Sequence, residues 1–433
     1  MSDKKYSLPQ FQRRRVIPIL IVICCLLVGG RQASTATDSP SVSTATREGR
    51  LAVFDDVWET ILTRYYDPNF HGIDWQAKRL TFRPQAAAAG NRQEFYDVLR
   101  QMIVSLRDPH TRVYSPDEKF DWWNPRFVSV GLTIREVEGR PTVVNVTPNS
   151  AAADAQLRNG DVITTVDNVP AEKMNGLRFK SLGLSRKELT RSRAVGSLLD
   201  GAPDTSVALT WETRNGKTKS ATLLRSWTQK QLGYQISRRG NSVVIKIEVF
   251  TLTTARNLIR ALPEAMSNAE GIVLDLRSNG GGDAQAMADV GAVFFSQGVN
   301  LGSFTDRVGN SFVLQTRSLS ALPPPKQTRL PMVVLINEGT SSAAEILAAG
   351  LQKSTRARVV GTQTCGCVLA IRNRHELPDG GVLDVSELDY RTAEGLRLEG
   401  TGVTPDHVVS VKRSDLYKGR DGALKYAEGL LPN

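Results

Sequence analysis

The stretch Pro331–Leu351 most constrains the fold of this chain, because it joins a buried strand to a helix through one tight turn. Residues 331–337 are apolar without alternation, which is typical of a strand buried on both faces. Apolar residues then recur at helical spacing. Ser341 and Ser342 therefore lie at the start of the helix, where unpaired N–H groups and the helix dipole can stabilise an oxyanion. The arrangement suits a nucleophilic serine, and an ordinary serine N-cap is the alternative.

The same alternation of strand and helix runs through the C-terminal half, so residues 229–433 are predicted to form an α/β core. Predicted strands cover 243–249, 272–276, 332–336 and 359–360, and predicted helices lie near 254–267, 284–296 and 341–353. A glycine cluster, 280–282, follows the second strand, where backbone N–H groups can approach an anion. Its spacing is neither that of a dinucleotide-binding loop nor that of a P-loop.

The segment that precedes this core divides into two parts. Residues 51–126 show apolar side chains at helical spacing and are predicted to form a helical domain, in which Asp108-Pro109-His110-Thr111 ends a helix. Residues 127–228 show short alternating strands and turns. The expected fold is therefore a multidomain α+β and α/β protein with an N-terminal helical domain, a small β-domain and an α/β core.

The order of strands and turns over 127–228 resembles a PDZ domain. In that family a glycine-containing loop presents N–H groups to the terminal carboxylate of a peptide, which adds as a strand. The resemblance places this peptide-binding loop at Val130, Gly131 and Leu132. A β-domain that serves only as a spacer is the alternative.

The N-terminus is predicted to direct export. Residues 1–33 carry six basic residues and one acid, which accounts for five of the net charge of +11. Three consecutive arginines lead into a 15-residue apolar stretch, 16–30, as in a signal peptide or a short membrane anchor. Residues 34–50 are predicted to be a flexible linker. We expect a periplasmic or cell-envelope protein, with membrane association through the apolar segment as an alternative to signal cleavage.

Several partner classes are disfavoured by composition. The remaining positive charge is diffuse and forms no basic run interleaved with aromatic residues, so no nucleic-acid binding is expected. Beyond the apolar segment only Cys365 and Cys367 remain, which is too few for a disulfide scaffold or a structural zinc site. The histidines at 71, 375 and 407 lack metal-ligand spacing, so neither a metal nor a cofactor is expected.

Together these segments resemble the C-terminal processing peptidases, or tail-specific proteases. The resemblance rests on the Asp-Pro-His-Thr turn, the PDZ pattern, Asp-Leu-Arg-Ser-Asn-Gly-Gly-Gly, Asn-Glu-Gly-Thr-Ser-Ser-Ala-Ala-Glu-Ile and the closing Gly-Thr-Gly-Val-Thr-Pro-Asp. It implies a serine endopeptidase that cleaves polypeptides whose free C-termini the PDZ domain recognises. It assigns Ser342 as nucleophile and the backbone N–H groups of Gly281 and Ala343 as oxyanion donors.

One residue of the family pattern is missing. Most members use a lysine as general base, and an ungapped count places that lysine at Cys367 and its supporting glutamine at Ile371. One outcome is a Ser–His–Glu site similar to that of the tricorn core protease, in which His110 is the base and Glu399 orients it. The other is a catalytically inactive homologue that binds peptide or lipid.

The Cys365-Gly366-Cys367 segment also admits two interpretations. In an oxidising compartment the two cysteines could close a short disulfide ring and form a redox pair beside the site. Alternatively they are two free thiols in a packed loop.

Overall fold

The structure is a computed structural model that describes residues 42–118, 126–182, 194–229, 233–295, 298–316 and 327–432. The predicted signal or anchor, 1–33, lies outside the described residues. Across the described ranges, no helix combines the length and apolar character needed to cross a membrane. The predicted linker is wrong at its C-terminal end, because the first helix already begins at Arg47. The Thr46 side chain caps that helix by accepting a hydrogen bond from the Gly49 N–H at 3.1 Å.

The N-terminal region is helical, as predicted, and its described part contains three α-helices. Their apolar faces pack into one core that also receives Leu377, Leu383 and Val385 from the C-terminal half. A short strand after the third helix pairs with the same C-terminal segment, so this region is built into the rest of the protein. The elements are α1 (Arg47–Arg64), α2 (Trp75–Ala88), α3 (Arg92–Val104) and β1 (Arg112–Tyr114), with 3-10 turns at Phe70–Gly72 and Pro116–Glu118, and the partner strands are β17 (His375–Glu376) and β18 (Val382–Asp384).

The PDZ-like region has its own sheet and apolar core. Its strands run in the order β3-β4-β5-β7-β8, with β6 paired to β5, so β3 lies at an edge of the sheet in the part of the chain described. A two-stranded ladder of β2 and β9 links the region to its neighbours. The elements are β2 (Arg126–Ser129), β3 (Leu132–Val137), β4 (Arg140–Val146), α4 (Ala151–Asp154), β5 (Val162–Val166), β6 (Val169–Pro170), α5 (Ala171–Leu182), β7 (Ser206–Glu212), β8 (Thr218–Leu224) and β9 (Ser226–Gln229).

The α/β core is a sheet of order β10-β11-β12-β15-β16-β20, parallel except for the β10–β11 pair, and a smaller sheet of order β14-β13-β19 lies beside it. The strands are β10 (Tyr234–Arg239), β11 (Ser242–Ile247), β12 (Gly271–Asp275), β13 (Asn300–Asp306), β14 (Ser311–Gln315), β15 (Met332–Ile336), β16 (Arg358–Gly361), β19 (Leu388–Arg391) and β20 (His407–Val408). The helices are α6 (Leu252–Ala265), α7 (Ala284–Phe294), α8 (Ala343–Lys353), α9 (Arg413–Leu416) and α10 (Gly422–Glu428). The predicted fold class is confirmed.

The sheet order brings the two predicted loops of the site together. Strands β12 and β15 are parallel neighbours, with Ile272 opposite Met332, so the segments that follow them emerge at the same edge. The Ser341 N–H donates to the carbonyl of Asn279 at 3.0 Å across that edge. Ligands of open parallel sheets bind at this edge, outside the carboxyl ends of the strands.

Candidate active site

Ser342 occupies a strained turn between β15 and α8. Its backbone has φ 56° and ψ −128°. A positive φ is energetically unfavourable for any residue other than glycine. An ordinary N-cap of this chain, Thr251, is extended at φ −123° and ψ 158° and accepts a hydrogen bond from Thr254 N–H. A serine on a sharp, strained strand-to-helix turn is the arrangement that exposes a nucleophile in many hydrolases. Ser342 also belongs to a capping box with Glu345 at the start of α8, so this turn combines a helix cap with a strained backbone, and the role of Ser342 as nucleophile remains a prediction.

Buried polar side chains hold this turn in place. Thr340 Oγ1 donates to the Leu276 carbonyl at 2.8 Å and accepts from Asn337 N–H at 3.0 Å. Asn337 Oδ1 accepts from Ser278 N–H at 2.9 Å. Sequence analysis missed Thr340, Asn337 and the buried Asn279, although a polar side chain next to an apolar strand must find such partners when it is buried.

Glu345 ties the turn to the following loop. Its carboxylate is fully buried and accepts four hydrogen bonds, from Ser342 N–H (3.1 Å), Thr364 Oγ1 (2.5 Å), Gly366 N–H (2.7 Å) and Cys367 N–H (2.9 Å). Burial raises the pKa of Glu345, and these hydrogen bonds oppose that rise. The sequence marked Glu345 only as part of a motif, whereas in the structure it positions the loop beside Ser342.

The two predicted oxyanion donors lie against Ser342. Ala343 is the first residue of α8, where the N–H has no acceptor within the helix. Gly281 has φ +92°, and a Cβ at this position would lie 2.6 Å from Ser342 Cβ and 3.0 Å from Ala343 N. In this structure, however, the Gly281 N–H donates to Asn279 Oδ1 at 2.8 Å. Its role as an oxyanion donor therefore requires that bond to be exchanged for one to the substrate.

The loop that carries the missing lysine position is clamped onto the nucleophile turn. Cys365 N–H donates to the Thr340 carbonyl at 3.0 Å, and Ser342 N–H donates to the Cys367 carbonyl at 2.8 Å. Cys365 and Cys367 are joined by a disulfide, with Cα atoms 5.2 Å apart, and both are buried. The structure thus contains the short disulfide ring, and no amine stands at this position.

The Asp108–Thr111 turn presents His110. The Asp108 carboxylate accepts from the backbone N–H of His110 at 2.8 Å and from Thr111 Oγ1 at 2.5 Å. Thr111 Oγ1 in turn accepts from Ser386 N–H at 3.1 Å, which fastens the turn to the core. The His110 ring is mostly buried, with Nδ1 3.9 Å from Asp108 Oδ1. The approach of this ring to Ser342 remains a prediction.

Glu399 lies on the other side of the same loop. Its Oε2 accepts from the backbone N–H groups of Val368 at 2.6 Å and Leu369 at 3.1 Å. Burial, with a contribution from the negative charge of Asp108, raises the pKa of Glu399 to about 8, so the carboxyl is mostly protonated at neutral pH. Asp108 and Glu399 also line one cavity of about 660 Å³. The structure therefore brings the His110 turn and Glu399 to one cleft, and the orientation of His110 by Glu399 remains a prediction.

The predicted peptide-binding loop of the PDZ-like region is folded onto the start of α4. The Val130 carbonyl accepts from Ala152 N–H at 3.0 Å, and the Gly131 N–H donates to Ser129 Oγ at 2.8 Å. Gly131 has φ +87°, and a Cβ there would collide with Ser150 Oγ, so only glycine fits. Leu132 begins the edge strand β3 and pairs with Val146 on β4.

A side chain of this edge strand reaches the nucleophile turn. Arg135 on β3 forms a double hydrogen bond with the Glu338 carboxylate, four residues before Ser342. Thr362 Oγ1 donates to the same carboxylate at 3.1 Å. The PDZ-like region therefore contacts the segment that carries the predicted nucleophile.

Comparisons with known proteins agree with this architecture. A model of Peptidase family S41 matches residues 241–409, a model of the Tricorn protease C1 domain matches residues 47–104, and a PDZ domain model matches residues 128–224.

Individual relatives match over most of the chain. The carboxyl-terminal-processing peptidase 2, chloroplastic, of Arabidopsis thaliana is 30% identical over 423 residues, covering 92% of this chain and 75% of that protein. The carboxyl-terminal-processing protease of Synechocystis sp. is 27% identical, covering 86% of this chain and 83% of that protein. Among solved structures, the photosystem II D1 C-terminal processing protease superposes with a TM-score of 0.56 at 25% identity, covering 84% of this chain and 93% of that one.

Proposed function

The chain belongs to peptidase family S41, the C-terminal processing proteases, and contains a PDZ domain; we propose that it is an exported endopeptidase in which Ser342 attacks the peptide bond and His110 is the general base. The observation that carries this proposal is the left-handed turn at Ser342, between β15 and α8, with Gly281 packed against it. Such strain persists only where surrounding contacts impose it, and it concentrates at functional sites.

The proposed reaction has two steps. Ser342 Oγ adds to the scissile carbonyl while His110 takes its proton, and His110 then returns that proton to the leaving amine. The acyl-enzyme is hydrolysed by water that His110 activates. Negative charge on the carbonyl oxygen is stabilised by the Ala343 N–H at the start of α8, joined by the Gly281 N–H once it leaves Asn279.

Glu399 is proposed to stabilise the protonated form of His110. The reactive form is the one in which Glu399, whose pKa is about 8, has released its proton to solvent, because only the ionised carboxylate stabilises a positive imidazolium nearby. The backbone N–H groups of Val368 and Leu369 hold one of its oxygens and leave the other for the imidazole. The same contacts connect Glu399 to the loop that supports Ser342.

Substrate recognition is assigned to the PDZ domain. A polypeptide C-terminus would pair with the open edge of β3 and place its carboxylate at the loop of Val130, Gly131 and Leu132. Export to the periplasm or cell envelope is proposed from the basic and apolar segment within residues 1–33. The inactive binding homologue, the alternative raised by the loss of the family lysine, gains no support from the family matches, which all point to a peptidase.

The proposal is tested with an unfolded protein substrate and the full chain. Wild-type protein should cleave reduced, carboxymethylated casein, and Ser342→Ala should lower the rate to background, whereas the neighbouring Ser341→Ala should retain most of it. A set of peptides with a free or amidated C-terminus then tests the PDZ role, since the free acids should bind and be cleaved better. Unchanged turnover by Ser342→Ala would reject Ser342 as nucleophile.

A further inference from the structure

The cleft that contains Glu399 carries more positive charge than the proposed chemistry uses. It encloses about 660 Å³ and is lined by Lys78 of α2, by Arg107 and by Arg397, besides Asp108 and Glu399. We call it the basic cleft. Arg397 is already paired, since it donates to Asp389 Oδ1 at 3.1 Å and to Tyr66 Oη at 2.8 Å. Among the described residues, Lys78 and Arg107 form no ion pair, so these two cationic side chains of the basic cleft are available to a ligand.

The two acids of the basic cleft offset these cations only in part. The Asp108 carboxylate is held by the backbone and the hydroxyl of its own turn. Glu399 is mostly protonated at neutral pH because its pKa is about 8. An anion that enters the basic cleft therefore meets two cationic side chains against the single carboxylate of Asp108, which leaves a net attraction.

The basic cleft also lies within reach of the scissile bond. Leu369 forms part of its wall, and Cys367, two residues earlier, accepts the Ser342 N–H at 2.8 Å. Two residues span at most about 7 Å. A substrate side chain only a few residues from the cleaved bond, at about 3.4 Å per extended residue, can therefore reach it.

We propose that the basic cleft is a subsite that receives a carboxylate of the polypeptide substrate, with Lys78 and Arg107 as specificity-determining residues. This inference rests on the proposed peptidase function of Ser342. The carboxylate is either an Asp or Glu side chain near the scissile bond or the terminal carboxylate of a short product-like peptide, and both present the same charge and the same acceptor atoms.

The test uses fluorescein-labelled decapeptides of alanine and leucine that carry one Asp at successive positions. Matched peptides carry Asn at the same position, and each is made with a free or an amidated C-terminus. Cleavage is measured with the wild-type chain, and binding is measured by fluorescence anisotropy with Ser342→Ala, which does not turn the peptide over. The binding arm decides the inference even if the proposed chemistry fails.

We expect at least one Asp position, or the free terminus, to be favoured over its neutral counterpart by roughly tenfold, the effect of one charge-assisted hydrogen bond. Lys78→Gln combined with Arg107→Gln should reduce the Asp/Asn ratio to about one, and it should lower the ratio of free to amidated peptide to the part that the PDZ loop contributes. The matched control is Lys353→Gln with Arg260→Gln, two exposed cations elsewhere on the core, and it should keep the ratio.

The two peptide comparisons, Asp against Asn and free against amidated terminus, distinguish the two sources of the carboxylate. A binding preference that follows the Asp position identifies a side-chain subsite. A preference for the free terminus identifies a carboxylate-end subsite only in the part that the Lys78/Arg107 double variant loses, because the PDZ loop contributes the rest. The inference would be overturned if Ser342→Ala bound Asp and Asn peptides equally and the Lys78/Arg107 double variant left the free-terminus preference unchanged. It would also be overturned by an Asp preference that survives in the double variant. If the double variant loses the preference for the charged peptide but keeps the urea unfolding midpoint of the wild type, misfolding is excluded as the cause.

Discussion

Replacing the buried carboxylate of Glu345 by an amide tests how the nucleophile turn is held. Each oxygen accepts two hydrogen bonds: Oε1 from Thr364 Oγ1 and Gly366 N–H, and Oε2 from Ser342 N–H and Cys367 N–H. Glu345→Gln keeps the shape and places an NH₂ donor where one oxygen was. The Thr364 hydroxyl can rotate and accept from that group, so the amide nitrogen should take the Oε1 position.

In that orientation the buried Gly366 N–H faces the amide nitrogen and loses its acceptor, at a cost of about 1–3 kcal/mol. Glu345→Ala would remove the carboxylate from all four donors; the Ser342 N–H would keep its bond to the Cys367 carbonyl, but the summed cost of the others is a large part of the stability of a domain, about 5–15 kcal/mol. The amide variant is therefore the informative one. Because the loop also positions Ser342, a shift of about 1 Å should lower kcat/KM by about 100-fold.

The free energy of unfolding is measured by urea titration with tryptophan fluorescence, and kcat/KM by peptide cleavage. Glu270→Gln is the matched control, since Glu270 is an exposed carboxylate that accepts from Asn241 Nδ2 at 2.8 Å. The control should change stability by no more than about 0.5 kcal/mol. If Glu345→Gln matched the control in both stability and rate, the carboxylate would not be what holds the turn.

Three further predictions concern the surroundings of the nucleophile. Gly281→Ala should abolish most activity because the added Cβ would meet Ser342. The control is Gly309→Ala: Gly309 has the same φ of +92° but open space around it, so this variant should lose stability and keep its activity. Equal activity of the two variants would contradict a contact between residue 281 and Ser342. Activity should rise with pH through about 8 as Glu399 loses its proton, and Glu399→Gln should remove that rise from the kcat/KM profile. Dithiothreitol should lower activity reversibly because reduction of the disulfide loosens the loop 365–367. Cys365→Ser combined with Cys367→Ser should cleave slowly and should not respond to the reductant. Full activity of this double variant would exclude a role for the disulfide.

Much of the fold could be predicted because its signals are local. Unbroken apolar runs marked the buried parallel strands β11, β12, β15 and β16, and helical spacing marked the helices between them. The exact start of α1 was missed because Thr46, a capping residue, sits inside a stretch rich in Ser, Thr and Ala. The pairing of β1 with β18 joins residues about 270 positions apart, and no local pattern specifies such a partner.

The candidate site was predictable only in part. Ser342 and Gly281 could be placed because each follows an apolar strand, and neighbouring parallel strands end at one edge. The four hydrogen bonds of Glu345 depend on how the 364–367 loop returns to the helix start, and that path is set by tertiary packing. The hydrogen bond from the Gly281 N–H to Asn279 Oδ1 likewise depends on the orientation of the backbone, which cannot be read from the residue types.

We propose that Ser342 is a nucleophile that His110 activates. Labelling the full chain with a serine-reactive fluorophosphonate and mapping the adduct by mass spectrometry tests it most directly. We expect one adduct, on Ser342. Ser341→Ala should retain this adduct and Ser342→Ala should lack it, and the rate of its formation should fall by at least about 100-fold in His110→Ala. An adduct on another residue, or equal labelling rates for His110→Ala and wild type, would contradict it.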